Sequence, residues 1–76
     1  MTTHVFTLQV ANIEADRYED VLFEAGCDDA VVALVDGAMF LDFDREAPSL
    51  GEAIESAVYN VEQAGGKVVR IDRSGG

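Results

Sequence analysis

Asp36-Gly37 leaves this chain little freedom, because it joins an uncharged run, Ala30 to Val35, to a second strand-like run, Ala38 to Phe43. Asp-Gly between such runs predicts a two-residue hairpin turn, in which both turn residues must accept positive φ. A turn of that length also fixes register. Counting outward, Val35 faces Ala38, Leu34 faces Met39, Ala33 faces Phe40, Val32 faces Leu41, Val31 faces Asp42 and Ala30 faces Phe43. Met39, Leu41 and Phe43 then share one side with Leu34, Val32 and Ala30. That side is expected to face the core, because it is the more uniformly apolar set. Val31, Ala33, Val35, Phe40 and Asp42 fall on the other side.

The flanking sequence supplies two further strands and two helices. Phe6, Leu8 and Val10 alternate with Val5, Thr7 and Gln9, which predicts a first strand over Val5 to Val10. Tyr18, Val21, Leu22 and Ala25 recur at helical spacing, so a helix is expected over Asp16 to Ala25, capped by Asn12 or Asp16 and ended by Gly26. Pro48 closes the hairpin region. Ser49 followed by Glu52 has the spacing of a capping box and opens a second helix, with Leu50, Ile54, Ala57, Val58 and Val61 as its apolar stripe and Gly65-Gly66 as its stop. Val69 and Ile71 alternate with Val68, Arg70 and Asp72 in a last strand over Lys67 to Asp72, and residues 74–76 read as a flexible tail.

Strand, helix, strand, strand, helix, strand is the order of a ferredoxin-like α+β sandwich, in which right-handed crossovers put both helices on one face of a four-stranded antiparallel sheet. The expected strand order is four, one, three, two. Phe6, Leu8, Val10, Met39, Leu41 and Phe43 would floor the core, with Val21, Leu22, Ile54, Val58 and Val61 above it. One domain is expected over residues 1–73, since 76 residues hold a single core.

This arrangement leaves the helix-free sheet face and the outer backbone of the second strand uncovered. The opposite edge is guarded by Lys67, Arg70 and Asp72, whereas Ala30 to Val35 carries no charge. Its outward side chains join Phe40 and Val5 in an apolar patch of the kind that marks an interface. A chain this small gains from a partner subunit, and its single cysteine rules out an internal disulfide. A homodimer is therefore expected, formed by edge pairing or face packing, with Val31, Ala33, Val35 and Phe40 as anchors and Asp42, Asp44 and Arg45 fixing orientation.

Fifteen acidic residues against five basic ones give a net charge of -10. Such a field repels phosphates, so direct nucleic-acid binding is not expected. The acidity fits a soluble surface, a face for a basic partner, or adaptation to high salt. No stretch approaches the roughly 20 apolar residues of a membrane span, and Met1 to Val10 contains no leader pattern, so a cytoplasmic protein is the default.

Catalytic constellations are missing from the sequence. His4 stands alone without a nearby nucleophile, and Cys27 beside Asp28-Asp29 reads as a partly buried packing residue with a raised pKa. Asp42 and Asp44 project about 7 Å apart on one strand face and, with Asp72 or Glu46, approach a hard-cation set, but Arg45 and Arg70 are expected to neutralise them. No cofactor, no bound metal and no enzymatic activity are expected. Acylphosphatases need an arginine in the loop after the first strand, where this chain has Asn12 and no arginine before Arg17. Metallochaperones need paired cysteines there. The alternative to a protein-interaction module is a small-molecule sensor with its ligand at a dimer interface near that loop.

Three runs stand out: Glu24-Ala25-Gly26-Cys27-Asp28-Asp29-Ala30, Leu41-Asp42-Phe43-Asp44-Arg45-Glu46-Ala47, and Ser49-Leu50-Gly51-Glu52-Ala53-Ile54 with Val61-Glu62 and Ala64-Gly65. They resemble a family of short, uncharacterised bacterial proteins that read EAGCDDA, then DFDREA, then an S-L-x-E-A-I helix ending near V-E-x-A-G. The resemblance spans roughly Phe6 to Ile71. In some relatives the segment precedes a helix-turn-helix domain, which implies a regulatory role in transcription or an antitoxin-like system; this chain departs from that pattern after Asp72-Arg73, so a DNA-binding role of its own is not expected.

Overall fold

The computed structural model describes residues 2–14 and 16–73 and has the expected order: β1 (Thr2–Ala11), α1 (Tyr18–Glu24), β2 (Ala30–Val35), β3 (Ala38–Ala47), α2 (Leu50–Gln63) and β4 (Lys67–Asp72). The proposed tail, 74–76, lies outside the described residues. The strands form one antiparallel sheet in the order β2-β3-β1-β4, a ferredoxin-like α+β fold. The hairpin register is the predicted one at every position from Ala30 opposite Phe43 to Val35 opposite Ala38. Asp36 and Gly37 both take positive φ, 50° and 81°, as a tight turn between right-twisted strands requires.

Phe6, Leu8, Val10, Met39, Leu41 and Phe43 do floor the core, and Leu22, Cys27, Ala47, Ala53, Ile54, Ala57 and Val61 close it from the helix side. Phe6, Leu8, Leu41, Phe43 and Val61 are fully buried. Each such side chain contributes about 1.5–3 kcal/mol relative to staying in water. Phe6 and Phe43 lie opposite each other in the β1–β3 ladder with rings stacked at 5.2 Å, a cross-strand pair at the centre of the sheet.

Both helices end in the same way. Gly26 (φ 96°) donates to the Phe23 carbonyl and Cys27 to the Leu22 carbonyl at the end of α1; Gly65 (φ 89°) and Gly66 donate to Glu62 and Val61 at the end of α2. These are Schellman motifs, which use a left-handed glycine to satisfy the last carbonyls. Gly66 is held to glycine for a second reason: a Cβ there would lie 2.7 Å from the Ile13 side chain.

Several boundaries differ from expectation. β1 begins at Thr2, and β3 continues past Phe43 to Ala47, because β1 and β3 pair along their whole length from Thr2 opposite Ala47 onward. Neither Asn12 nor Asp16 caps α1. Its N-cap is Arg17, which makes no side-chain capping bond, while Asn12 sits at φ 68° in the preceding turn. Glu19 and Asp20 in the first turn supply the electrostatic complement instead. Ser49 does cap α2, its hydroxyl accepting from the Glu52 N–H at 3.2 Å. Val21 and Val58 are half-buried rather than inside. Leu34 points to the helix side as its register with Met39 demands, yet it is 50% exposed, since it sits on the outermost strand beside the turn and α1 has only seven residues.

Between β1 and β4 the register slips. Gln9 pairs with Arg70 but Val10 pairs with Val68, which leaves Val69 as an extra residue in β4. Such a bulge bends and twists the strand that carries it. Among the described residues no helix is long and apolar enough to cross a membrane.

Candidate functional site

Side chains alternate between the two faces of β3, and the two faces have opposite characters. On the helix-free face, cross-strand rows run Ala33–Phe40–Gln9–Arg70 and Val31–Asp42–Thr7–Asp72, followed by Asp44 beside Val5. Val31 is 68% exposed, and Val35, Asp42 and Asp44 are also exposed, while Ala33 and Phe40 are half-buried. The Thr7 hydroxyl donates to Asp42 at 2.5 Å. A shallow depression of about 290 Å³ opens among Thr7, Gln9, Phe40, Arg70 and Asp72. Six of the seven residues expected at an interface, Val31, Ala33, Val35, Phe40, Asp42 and Asp44, therefore share this face.

Arg45 does not. Strand alternation carries Phe43, Arg45 and Ala47 to the helix side, so the side chain expected to orient a partner lies behind the sheet and cannot reach Asp42 or Asp44. Arg70 does not take over that role: among the described residues the ion pair formed is Arg45 with Asp29. No three His, Cys, Asp or Glu side chains come together as a metal-holding group among the described residues.

On its own side, Arg45 donates to five acceptor atoms of four residues. Nε and Nη2 donate to the two Asp29 carboxylate oxygens at 2.7 and 2.8 Å, a bidentate fork. Nη2 also donates to the Gly26 carbonyl at 3.1 Å, and Nη1 donates to Ser56 Oγ at 3.0 Å and Asn60 Oδ1 at 2.8 Å. A guanidinium has five N–H groups, and all are used. The Arg45 side chain is 11% exposed, its charge lies 5.0 Å from the Phe43 ring centre, and the Ser56 hydroxyl donates to the Ala53 carbonyl at 2.9 Å. Hydrogen bonding to the Asp29 carboxylate pushes the Arg45 pKa up, burial opposes it, and attraction to the same carboxylate adds to the rise.

The cluster joins β3, the end of α1, the start of β2 and the middle of α2 through one side chain. It draws on two of the three distinctive runs of sequence. Gly26 and Asp29 come from the first and Phe43 and Arg45 from the second, while Ser56 and Asn60 lie in the helix that the third opens but outside the residues of that run. Cys27, next to the cluster, is buried in the core as the second residue beyond the α1 cap. Its thiol pKa is raised chiefly by burial; Arg45 pulls it down, and Asp29 and Asp28 push it up, so the neighbouring acids are a minor cause rather than the main one.

His4 faces the helix side opposite Arg45, and its Nε2 lies 3.2 Å from the Ala47 carbonyl. At the first strand-helix loop a second depression, of about 300 Å³, is lined by Asn12, Ile13, Glu14, Arg17, Val21 and Ala64. Sequence reasoning missed the Arg45 cluster, although counting alternate residues on from Met39, Leu41 and Phe43 would have placed Arg45 on the core side. No protein-family model, curated protein or solved structure matches this chain, so its function is argued from these residues alone.

Proposed function

We propose that this protein is a small, non-catalytic regulatory or interaction module of the cytoplasm, working as a homodimer and recognising other proteins through the helix-free sheet face. One observation carries the reading: the chain spends its polar side-chain chemistry on the internal Arg45 cluster and leaves Val5, Val31, Val35 and the flank of Phe40 open on one face. Large exposed aliphatics gathered on a sheet face are a liability for a soluble domain unless something covers them. Asp42, Asp44 and Glu46 border the same face, so the partner chemistry that fits is an apolar segment with adjacent basic groups. The sequence resemblance to segments that precede helix-turn-helix domains supports a role in transcriptional or antitoxin-like regulation.

Sedimentation equilibrium of the wild-type chain beside Val31→Lys and Phe40→Glu tests this. A wild-type dimer that Val31→Lys weakens is the expected result. A chain that stays monomeric at high micromolar concentration removes the homodimer, and variants that dimerise as well as wild type remove this surface. A second reading, a small-molecule sensor, is favoured by the depression at Asn12 and Arg17. A thermal shift with free amino acids, abolished in Arg17→Ala, is its signature.

A further inference from the structure

We infer that two copies of this chain pair through their β2 edges, antiparallel about a two-fold axis at Ala33, to make one continuous eight-stranded sheet. The inference rests on the homodimer just proposed and names its geometry. The Asp29 carbonyl accepts from the Asp44 N–H at 3.2 Å across the β2–β3 ladder. In an antiparallel ladder, backbone groups alternate sides, so Val31, Ala33 and Val35 turn theirs toward β3 and Ala30, Val32 and Leu34 turn theirs outward. β2 is the terminal strand, and these outward N–H and C=O groups are a template for one more strand.

Three features select a second copy as that strand. Only same-parity pairing matches outward groups with outward groups, and the register centred on Ala33 sets the side chains from Val31 to Val35 against one another: Val31 of one copy faces Val35 of the other, Val32 faces Leu34, and Ala33 meets itself, with Ala30 left opposite Asp36 of the turn. The register puts no charge opposite a charge. That matters in a chain of net charge -10, whose copies repel almost everywhere else. Of the two acids that flank β2, Asp29 is neutralised by the Arg45 fork and Asp36 falls opposite the uncharged Ala30. The half-exposure of Leu34 on the helix side is also accounted for, since the neighbouring copy supplies the cover that α1 does not. Because the axis runs perpendicular to the sheet, all four helices fall on one side and the two helix-free faces merge into a single surface.

Cysteine cross-linking decides the geometry. Ala33 pairs with itself at a non-hydrogen-bonded position, where Cα atoms are about 4.5 Å apart and a disulfide fits. Ala33→Cys is expected to form a covalent dimer under mild oxidation, most of the chain shifting on a non-reducing gel, while a Val31→Cys chain cross-links with a Val35→Cys chain in a mixture but not with itself. Phe40→Cys is the control, since the inferred pairing holds its two copies three strand spacings apart, about 14 Å. Wild type, with Cys27 buried, should give no covalent dimer. Cross-linking at Phe40 and not at Ala33, in a chain that sediments as a dimer, overturns edge pairing while leaving the homodimer intact; a folded Ala33→Cys chain that sediments as a monomer and gives no cross-link overturns both.

Discussion

The two ends of the segment from Gly26 to Val35 are treated in opposite ways. At one end Asp29 and the Gly26 carbonyl are locked by Arg45, whose every donor is matched. At the other, six residues of β2 carry no charge and show an unpaired backbone edge, with Val31 and Val35 in water. The difference teaches that distinctive sequence and exposed apolar surface need not coincide. The rare residue types, with their recognisable spacing, build an internal clamp between helices and sheet. The bland aliphatic run is what the fold leaves available.

The largest effect should come from the clamp. Arg45→Ala strands a half-buried carboxylate and leaves Asn60 and Ser56 without their donor, and it should cost on the order of 3 kcal/mol in urea denaturation, with Arg45→Lys recovering only part because an ammonium cannot fork. Unchanged stability in Arg45→Ala would break the comparison at its root. Gly26→Ala comes next. It forces a side chain into φ 96° with a Cβ 3.3 Å from Asn60 Nδ2, and a loss of about 1–2 kcal/mol is expected from strain and a displaced Asn60. The smallest change in stability belongs to the edge: Val31→Lys, measured at protein concentrations too low for association, should stay within about 0.5 kcal/mol of wild type. A large loss there would mean that Val31 already packs within the monomer.

Much of the fold was legible because local chemistry forced it. A two-residue turn cannot change the parity of a hairpin, so the whole β2–β3 register followed from Asp36-Gly37, and Gly26 and Gly65 marked helix ends that need positive φ. The clamp was hidden for a different reason. Asp44-Arg45-Glu46 looks like a solvated strand end, because three consecutive charges mask an alternation that only pairing with Thr3, His4 and Val5 sustains. Asp29, Ser56 and Asn60 are far from Arg45 in sequence, and each reads as ordinary surface until tertiary packing gathers them. Leu34 shows the same limit from the apolar side: parity sets the direction of a side chain, and the length of the helix above it sets whether anything covers it.

The displaced register at Val69 has a bearing on how far assembly can proceed. β4 departs from a straight template there and bears Lys67, Arg70 and Asp72 besides, so this margin of the molecule refuses an incoming neighbour. If the copies pair through β2 as inferred, each accepts a companion on one flank alone, and growth by edge addition stops at two. The surplus residue and the charged side chains of the far strand then act together, offsetting the openness of the aliphatic ribbon.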